Sequence, residues 1–362
     1  MKGAASVQFS IVIPSWNGRA LLARYLPSVL AEAARGAAAG MTIEILVSDD
    51  GSTDGTRDWL ARDFPPASSG VRCVASPVNR GFGPAVNAAA SSASGSILLL
   101  LNNDAELLPG ALAPLAGAIA LPEVFAVTMR AESPAGDFAT GGKLGRFRRG
   151  FWEAWRNFAA PAAPSFALVG GFCAVRREAF LALGGFDPIF APYYWEDLDL
   201  SYRARKRGWT ILYLPQAGVR HEVSASIRQH RPRWARAAII HRNRLLFHWR
   251  NLDPQRLRRH CLWAVLLLPQ LALKGDFAYH AGFCQALARW PAVRRFRRAE
   301  RRHWRLPDAA LAVVAPAECN SSASSGVSAL QGAPPPDIKR QGDADAQDRA
   351  TERAVSTGGE EA

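Results

Sequence analysis

Cysteine is scarce. The five residues of this type, Cys73, Cys173, Cys261, Cys284 and Cys319, are odd in number, far apart and without a C-x-x-C pair. That excludes a disulfide scaffold and a paired-thiol metal site, and it fits reduced thiols in a cytosol. Long apolar runs are lacking as well. The richest, CLWAVLLLPQLAL (261–273), has 13 residues and is interrupted by Pro269 and Gln270, whereas a helix crossing a bilayer requires ~20. The start, MKGAASVQFSIVIP, has too short an apolar stretch before its proline to read as a signal peptide. The expected location is therefore cytoplasmic. Gly 30 and Pro 24 in 362 residues are too few for collagen or for disorder throughout, and 49% hydrophobic with 21% charged residues is ordinary for a globular protein. At about 150 residues per domain the length suggests two units, or one α/β domain with appendages.

Acidic residues are nearly missing from one region. From Arg228 to Arg305 there are 19 Arg and Lys against Asp253, Asp276 and Glu300, while the whole chain carries a net +13. Such a block attracts anionic lipid, nucleic acid or a polyphosphate. After about residue 315 the chain is poor in aromatics and rich in Ser, Gly, Pro and acids, a composition that cannot offset its ordering entropy and predicts a disordered tail. Ser133 to Ser165 mixes Gly, Arg, Phe and Trp without a period and reads as a long loop carrying Phe151, Trp152 and Trp155.

In the first half, FSIVIP (9–14), IEILVS (43–48), VRCVAS (71–76), SILLLL (96–101) and FAVT (125–128) are short and apolar on both faces, as buried parallel strands are. Helix-compatible spacing fills 21–34, 56–62, 84–93 and 110–120 between them. Strand then helix, repeated, predicts a doubly wound α/β sheet with helices on both faces. Ligands bind such sheets at the carboxyl ends of the strands. The loops there, Pro14 to Gly18, Asp49 to Ser52, Asn79 to Gly83 and Asn102 to Asp104, are all polar or glycine-rich.

In VSDDGSTDGT (47–56), Asp54 reads as a cap for the next helix. Asp49 and Asp50 are either turn residues or acceptors for a base N–H or ribose hydroxyls, with Gly51 permitting close approach. LLLLNNDAEL runs a buried strand straight into Asn102, Asn103 and Asp104. That is either an Asx turn or a set of oxygen ligands for Mg²⁺ or Mn²⁺, which are held by one or two carboxylates plus phosphates. In APYYWEDLDLSYRARKRGW (191–209), Asp199 and Arg203 are spaced as an ion pair. Glu196 and Asp197, after Tyr193, Tyr194 and Trp195, would sit at a helix N-terminus in an aromatic wall, where a carboxylate can act as a general base. His221 follows the strand-like ILYL (211–214) and is either structural or a ligand.

Taken together and in chain order over about residues 9 to 250, SIVIPSWNG, VSDDGSTDGT, NRGFGPAVNAA, LLLLNNDAEL and GGFCAVRREAFLALGGFDPIFAPYYWEDLDLSYRARKRGW resemble glycosyltransferase family 2, the inverting nucleotide-sugar transferases of GT-A fold. The N-N-D form resembles the rhamnosyltransferase-like branch. The resemblance implies that Pro14, Asn17, Asp50, Arg80 and Asn87 line the nucleoside and diphosphate site, with Asn103 where many members have a first Asp. It implies that Asp104 binds a divalent cation, Mn²⁺ or Mg²⁺, with help from His221, and that Asp197 is the base with Glu196 next. The expected partners are a nucleoside-diphosphate sugar and a glycan or lipid-linked acceptor of bacterial surface polysaccharide assembly. Processive members carry Q-x-x-R-W and several spanning helices. Here Gln229 and Arg233-Trp234 are off by one residue, so transfer of a single sugar is expected.

The expected organisation is a catalytic domain over 1–227, a basic helical extension over 228–314 and a tail over 315–362. The extension either packs on the catalytic domain or lies on an anionic membrane surface, on the inner face of the cell membrane. Three rival readings differ in class. A sugar nucleotidyltransferase would need a basic glycine-rich loop that PSWNGRA does not supply. A nucleic-acid-binding protein built on the arginine block lacks a docking motif. The third is a catalytically weak relative that only binds sugar nucleotides.

Overall fold

A computed structural model describes residues 8–157, 161–221 and 232–313. The tail expected over 315–362 and Gln229 lie outside these. Of the described residues, 8–146, 153–157, 161–221 and 303–313 form one compact unit, and 147–152 with 232–302 form another.

The first unit is built on a ten-stranded sheet. Its strands are β1 (Gln8–Ser15), β2 (Thr42–Asp50), β3 (Val71–Ser76), β4 (Ile97–Leu101), β5 (Ala105–Leu107), β6 (Val124–Glu132), β7 (Phe138–Thr140), β10 (Ala163–Pro164), β11 (Phe172–Arg176) and β12 (Thr210–His221); β8 (Lys143–Arg148) and β9 (Phe151–Arg156) pair separately. The order is β10-β12-β6-β11-β4-β1-β2-β3, with β5 on β12 and β7 on β6. Six long strands run the same way, and β11 runs against its neighbours β4 and β6. The helices are α1 (Arg19–Ala38), α2 (Thr56–Asp63), α3 (Pro66–Ser69), α4 (Phe82–Ser92), α5 (Leu112–Ile119), α6 (Arg177–Ala182) and α7 (Glu196–Lys206).

The continuous apolar strands feed two cores, because successive side chains point to opposite faces. Ile11, Ile13, Leu99 and Leu101 join Leu22, Leu26 and Val29 of α1 and Leu112 and Leu115 of α5. Val12, Leu98 and Leu100 join Val86 and Ala89 of α4, Phe180 of α6 and Leu200 of α7. Truncating any of these buried leucines to alanine would cost about 2–5 kcal/mol. One expectation is corrected here. VRCVAS is the edge strand β3 and is not apolar on both faces: Val71 is buried, whereas Arg72 and Cys73 are exposed.

A second correction concerns 133–165, which is not a long loop. Strands β8 and β9 form a hairpin whose two-residue turn is Arg149-Gly150, with φ of 44° and 81°. Two successive positive φ values match the right-handed strand twist.

The second unit contains α8 (Arg233–Asn251), α9 (Pro254–Leu273), α10 (Phe277–Leu287) and α11 (Trp290–Glu300). Within it, the rings of His248 and His260 stack at 4.6 Å and Phe151 packs edge-on against both. Trp152 N–H donates to His248 Nε2 at 2.8 Å, and His260 Nδ1 meets the Gly150 carbonyl at 2.9 Å. Both imidazoles are held neutral: burial pushes His260 down to about 3 and His248 well below its ordinary value. This unit ends at Arg302, short of 314. Beyond it, Asp308 is buried in the first unit, where it accepts from Tyr202 Oη at 2.5 Å and pairs with Lys206 Nζ at 2.6 Å.

Candidate active site

The winding of the sheet reverses beside β1, whose neighbours are β2 on one side and β4 on the other. A crevice opens at such a switch point. The loops after these strands are tied to one another by hydrogen bonds. Asn103 Nδ2 donates to Ser15 Oγ at 2.9 Å, which joins the loop after β4 to the end of β1. Asn17, with φ of 48°, donates its N–H to Ser52 Oγ and accepts the Thr53 N–H on Oδ1, each at 2.8 Å. Left-handed backbone is unremarkable for asparagine, so Asn17 joins the loops after β1 and β2 without strain.

Asp50 connects the second loop to the third. Its Oδ1 accepts from Arg80 N–H at 2.9 Å and its Oδ2 from Gly81 N–H at 2.7 Å. Burial still raises its proton affinity, with the neighbouring Asp49 adding to the effect. A Cβ on Gly81, where φ is +94°, would lie 2.9 Å from the Pro192 carbonyl oxygen. Glycine is therefore what lets the third loop touch the segment that leads into α7. Asp54 is not the cap of α2, whose N-cap position is held by Gly55 without a side-chain cap; one residue earlier, Asp54 accepts from the Thr56 amide and from the Arg19 amide and so ties the starts of α2 and α1 together.

At the start of α7, Tyr194 and Trp195 both have positive φ, 71° and 76°. Bulky side chains adopt that backbone at a cost of order 1–3 kcal/mol, a form of strain that clusters at functional sites. Glu196 and Asp197 follow at once. The free N–H groups of a helix start favour carboxylates by about 0.3–1 kcal/mol, yet burial wins and both groups are raised above the usual carboxylate range. For Glu196 the negative charge of Asp197 adds to burial, and its buried Oε2 accepts no hydrogen bond among the described residues. Asp197 is held by the Leu198 and Gly170 amides, and Lys143 of β8 draws its proton affinity back down. Asp199 is engaged elsewhere, in a buried pair with Arg203 at 2.7 Å.

Gly170 and Gly171 link this carboxylate pair to the loop after β4. A Cβ on Gly170 would lie 3.4 Å from Asp197 Cβ, and one on Gly171 would lie 2.6 Å from the side-chain amide of Asn102. Two residues further on, Asp104 is buried and its Oδ1 lies 3.1 Å from His221 Nε2. The His221 ring packs edge-on against Phe172 at 4.6 Å.

Among the described residues no group of three or more His, Cys, Asp and Glu stands together to hold a metal by itself. Asp104 and His221 form a two-residue donor set of carboxylate and imidazole. That suits a cation whose remaining ligands are phosphate oxygens and water, the usual case for Mg²⁺ and Mn²⁺.

Of the residues expected at the nucleotide site, Pro14 lies at the end of β1 opposite Ser48, and Arg80 is exposed in the third loop. Asn87 has a different task. Its Nδ2 donates to the Phe186 carbonyl at 2.7 Å and its Oδ1 accepts the Phe186 N–H at 2.9 Å. Both ends of its amide therefore pin the turn after α6 to α4. Sequence reasoning passed over Lys143, which acts on Asp197 from a hairpin with no legible turn signal. It also passed over Gly170-Gly171 as the spacer, although the two residues stand together in GGFCAV.

Residues 10–184 match the family described as glycosyl transferase family 2. The N-acetylglucosaminyl-diphospho-decaprenol L-rhamnosyltransferase of Mycobacterium tuberculosis is 29% identical over 213 residues, covering 51% of this chain and 68% of that protein. The O-antigen biosynthesis protein RfbC of Myxococcus xanthus is 34% identical over 158 residues, 40% of this chain but 12% of that protein. The crystal structure of GalNAc-T7 with UDP, GalNAc and Mn²⁺ has a TM-score of 0.55 at 22% identity, covering 67% of this chain and 48% of that one. At that identity the likeness concerns the fold. Glycosyl transferase family 2 is thus the family whose model residues 10–184, just under half of the chain, match.

Proposed function

We propose that the protein transfers one sugar from a nucleoside-diphosphate sugar to a hydroxyl of a glycan or lipid-linked acceptor, with inversion at the anomeric carbon. The observation that carries this reading is the pair Glu196 and Asp197. Two adjacent carboxylates of raised proton affinity stand beside the strand-end loops, and Gly170-Gly171 connects them to the loop of Asp104.

Asp197 is the general base. Backbone amides from Leu198 and Gly170 fix its orientation, and its raised proton affinity suits it to accept the proton of an attacking hydroxyl. Burial keeps that affinity high, and the Asp197 charge in turn raises the neighbouring Glu196. A single displacement by the acceptor oxygen on the anomeric carbon breaks the bond to the diphosphate and inverts the centre. Pro14, Asn17, Arg80 and Asn103 are assigned to the donor, with Asp50 and Asn87 as positioning residues that hold the loops. Asn103 has its Nδ2 on Ser15 and has Oδ1 to offer as an acceptor. Asp104 and His221 would hold a divalent cation, Mn²⁺ or Mg²⁺. When bound, such an ion stabilises negative charge on the leaving diphosphate.

Similarity to a rhamnosyltransferase acting on a diphospho-decaprenol lipid makes a deoxysugar donor and a lipid-diphosphate acceptor the first pair to try. The test is a panel of UDP-, dTDP- and GDP-sugars with and without Mn²⁺, and with bacterial lipid extract as acceptor, read as nucleoside-diphosphate release. Metal-stimulated turnover of one donor supports the reading. Silence with all of them, alongside salt-sensitive binding to DNA or RNA, would move it to the arginine-rich second unit.

A further inference from the structure

The inward side of α9 is well covered. His260 and Ala264 are buried in the second unit, and the Ala264 carbonyl accepts from Tyr279 Oη at 2.9 Å. The outward side should then be polar, as on a solvated amphipathic helix. It is not. Leu262, Val265, Leu266 and Leu273 are 60%, 54%, 44% and 90% exposed, and at 100° per residue they fall within roughly 100° of arc. Phe277, at the start of α10, adds a ring that is 66% exposed. Single exposed leucines need no explanation, but a continuous stripe marks a contact surface. The same unit shows what an ordinary solvated face looks like. On and just beyond α11, Arg294, Arg298, Arg301 and Arg302 point outward together, and all are exposed.

Charge selects the occupant. Residues 232–302 hold sixteen Arg and Lys against three acids. Arg258 and Arg259 are exposed one turn before the stripe, and exposed Lys274 closes its other end. A second copy of this chain would bring like charge against like charge, and a nucleic acid has no use for the leucines. An anionic membrane surface satisfies both features at once: apolar side chains enter the boundary of headgroups and acyl chains, while arginine stems reach back to the phosphates. Among the described residues no helix is long and apolar enough to cross a membrane, so the contact would be parallel to the surface. We propose that the outward face of α9, with Arg258, Arg259 and Lys274 at its ends, is a docking site for an anionic lipid surface. It does not depend on glycosyl transfer.

The experiment is co-sedimentation of the full chain with vesicles of phosphatidylcholine alone or mixed with phosphatidylglycerol. The native protein is expected to bind the anionic vesicles at least about tenfold more tightly than the neutral ones. Leu262→Gln/Leu266→Gln/Leu273→Gln is expected to lose about tenfold or more of that affinity at every salt concentration. The loss in Arg258→Gln/Arg259→Gln should shrink as salt rises, because screening already weakens that term in the native protein. Unfolding temperature is read for each variant, and Leu273→Gln alone serves where the triple variant unfolds early. Three results overturn the proposal: native protein that binds neither vesicle, an apolar variant that binds as the native does, or a native dimer in solution that the apolar variant converts to monomer.

Discussion

His221 Nε2 lies 3.1 Å from Asp104 Oδ1, although 117 residues separate them in the chain. The register explains the meeting. Strand β12 pairs in parallel with β6, slips between Leu214 and Gly218, and then runs antiparallel to β5, where His221 faces Ala105. A bulge of this kind bends a strand and re-aims its last side chains. It brings an imidazole to the carboxylate that follows Asn102 and Asn103.

If this pair holds the cation, the two residues should fail differently. Asp104→Ala is expected to lower kcat/KM by on the order of 10²-fold or more at any metal concentration. His221→Ala should keep activity when Mn²⁺ is abundant, with the half-saturating concentration raised about tenfold or more. A titration of rate against Mn²⁺ for both variants checks this. Equal activity without metal in the native protein would contradict it.

The raised carboxylates predict a pH profile. The base acts when deprotonated, so activity should climb as pH rises through a value above the usual carboxylate range of about 4. Burial and the Asp197 charge raise Glu196 to about 8, so Glu196 is still protonated and uncharged while Asp197 titrates. Glu196→Gln should leave the acid limb of activity nearly in place. The sign for stability follows as well: a carboxyl raised on folding contributes its stability at low pH and loses it as pH rises through the folded value. Glu196→Gln should therefore raise the unfolding temperature at neutral pH while leaving it nearly unchanged at pH 4. Rate profiles and thermal scans over the same range decide the matter.

Asp50 offers a test of positioning. Its replacement by alanine strips the acceptor from the Arg80 and Gly81 amides, and a covered amide left unpaired costs about 1–3 kcal/mol. Asp50→Ala should lower stability by roughly that amount and raise KM for the donor more than it lowers kcat. Asp50→Asn, which retains one acceptor, should fall between. A drop in kcat with unchanged KM would assign Asp50 to the chemistry instead.

The stacked histidines of the second unit predict acid sensitivity. Their proton affinities are depressed on folding, so they contribute stability that is complete above about pH 6.5 and is lost as pH falls below it. Urea unfolding followed from pH 7.5 to 5 should show a falling midpoint, and His260→Gln should flatten the slope whatever its baseline stability. An unchanged slope would mean that other groups titrate.

Much of this was legible in the chain, for identifiable reasons. β1 and β4 carry apolar residues at odd and even positions because both faces are covered, so runs such as LLLL leave little doubt. Asp199 and Arg203 were readable because the partners lie four residues apart on one helix, whereas Asp54 also accepts from the Arg19 amide, 35 residues away. The reversed strand β11 was not readable, since GFCAVR has the same apolar character as a parallel strand. The β8–β9 hairpin was missed because Arg149-Gly150 fills a turn where Asn-Gly or Asp-Gly is the usual signal. Motif position also cannot separate a residue that meets a ligand from one that meets backbone. Asn87 is the case in point, since Phe186 occupies both ends of its amide from 99 positions away.

The most direct measurement compares Asp197→Asn with the native protein in two assays, binding of the donor and release of nucleoside diphosphate in the presence of acceptor. If Asp197 takes the proton of the attacking hydroxyl, donor affinity should stay within about threefold while turnover falls by on the order of 10²–10⁴-fold. Turnover within tenfold of the native rate, at unchanged donor affinity, would contradict the account.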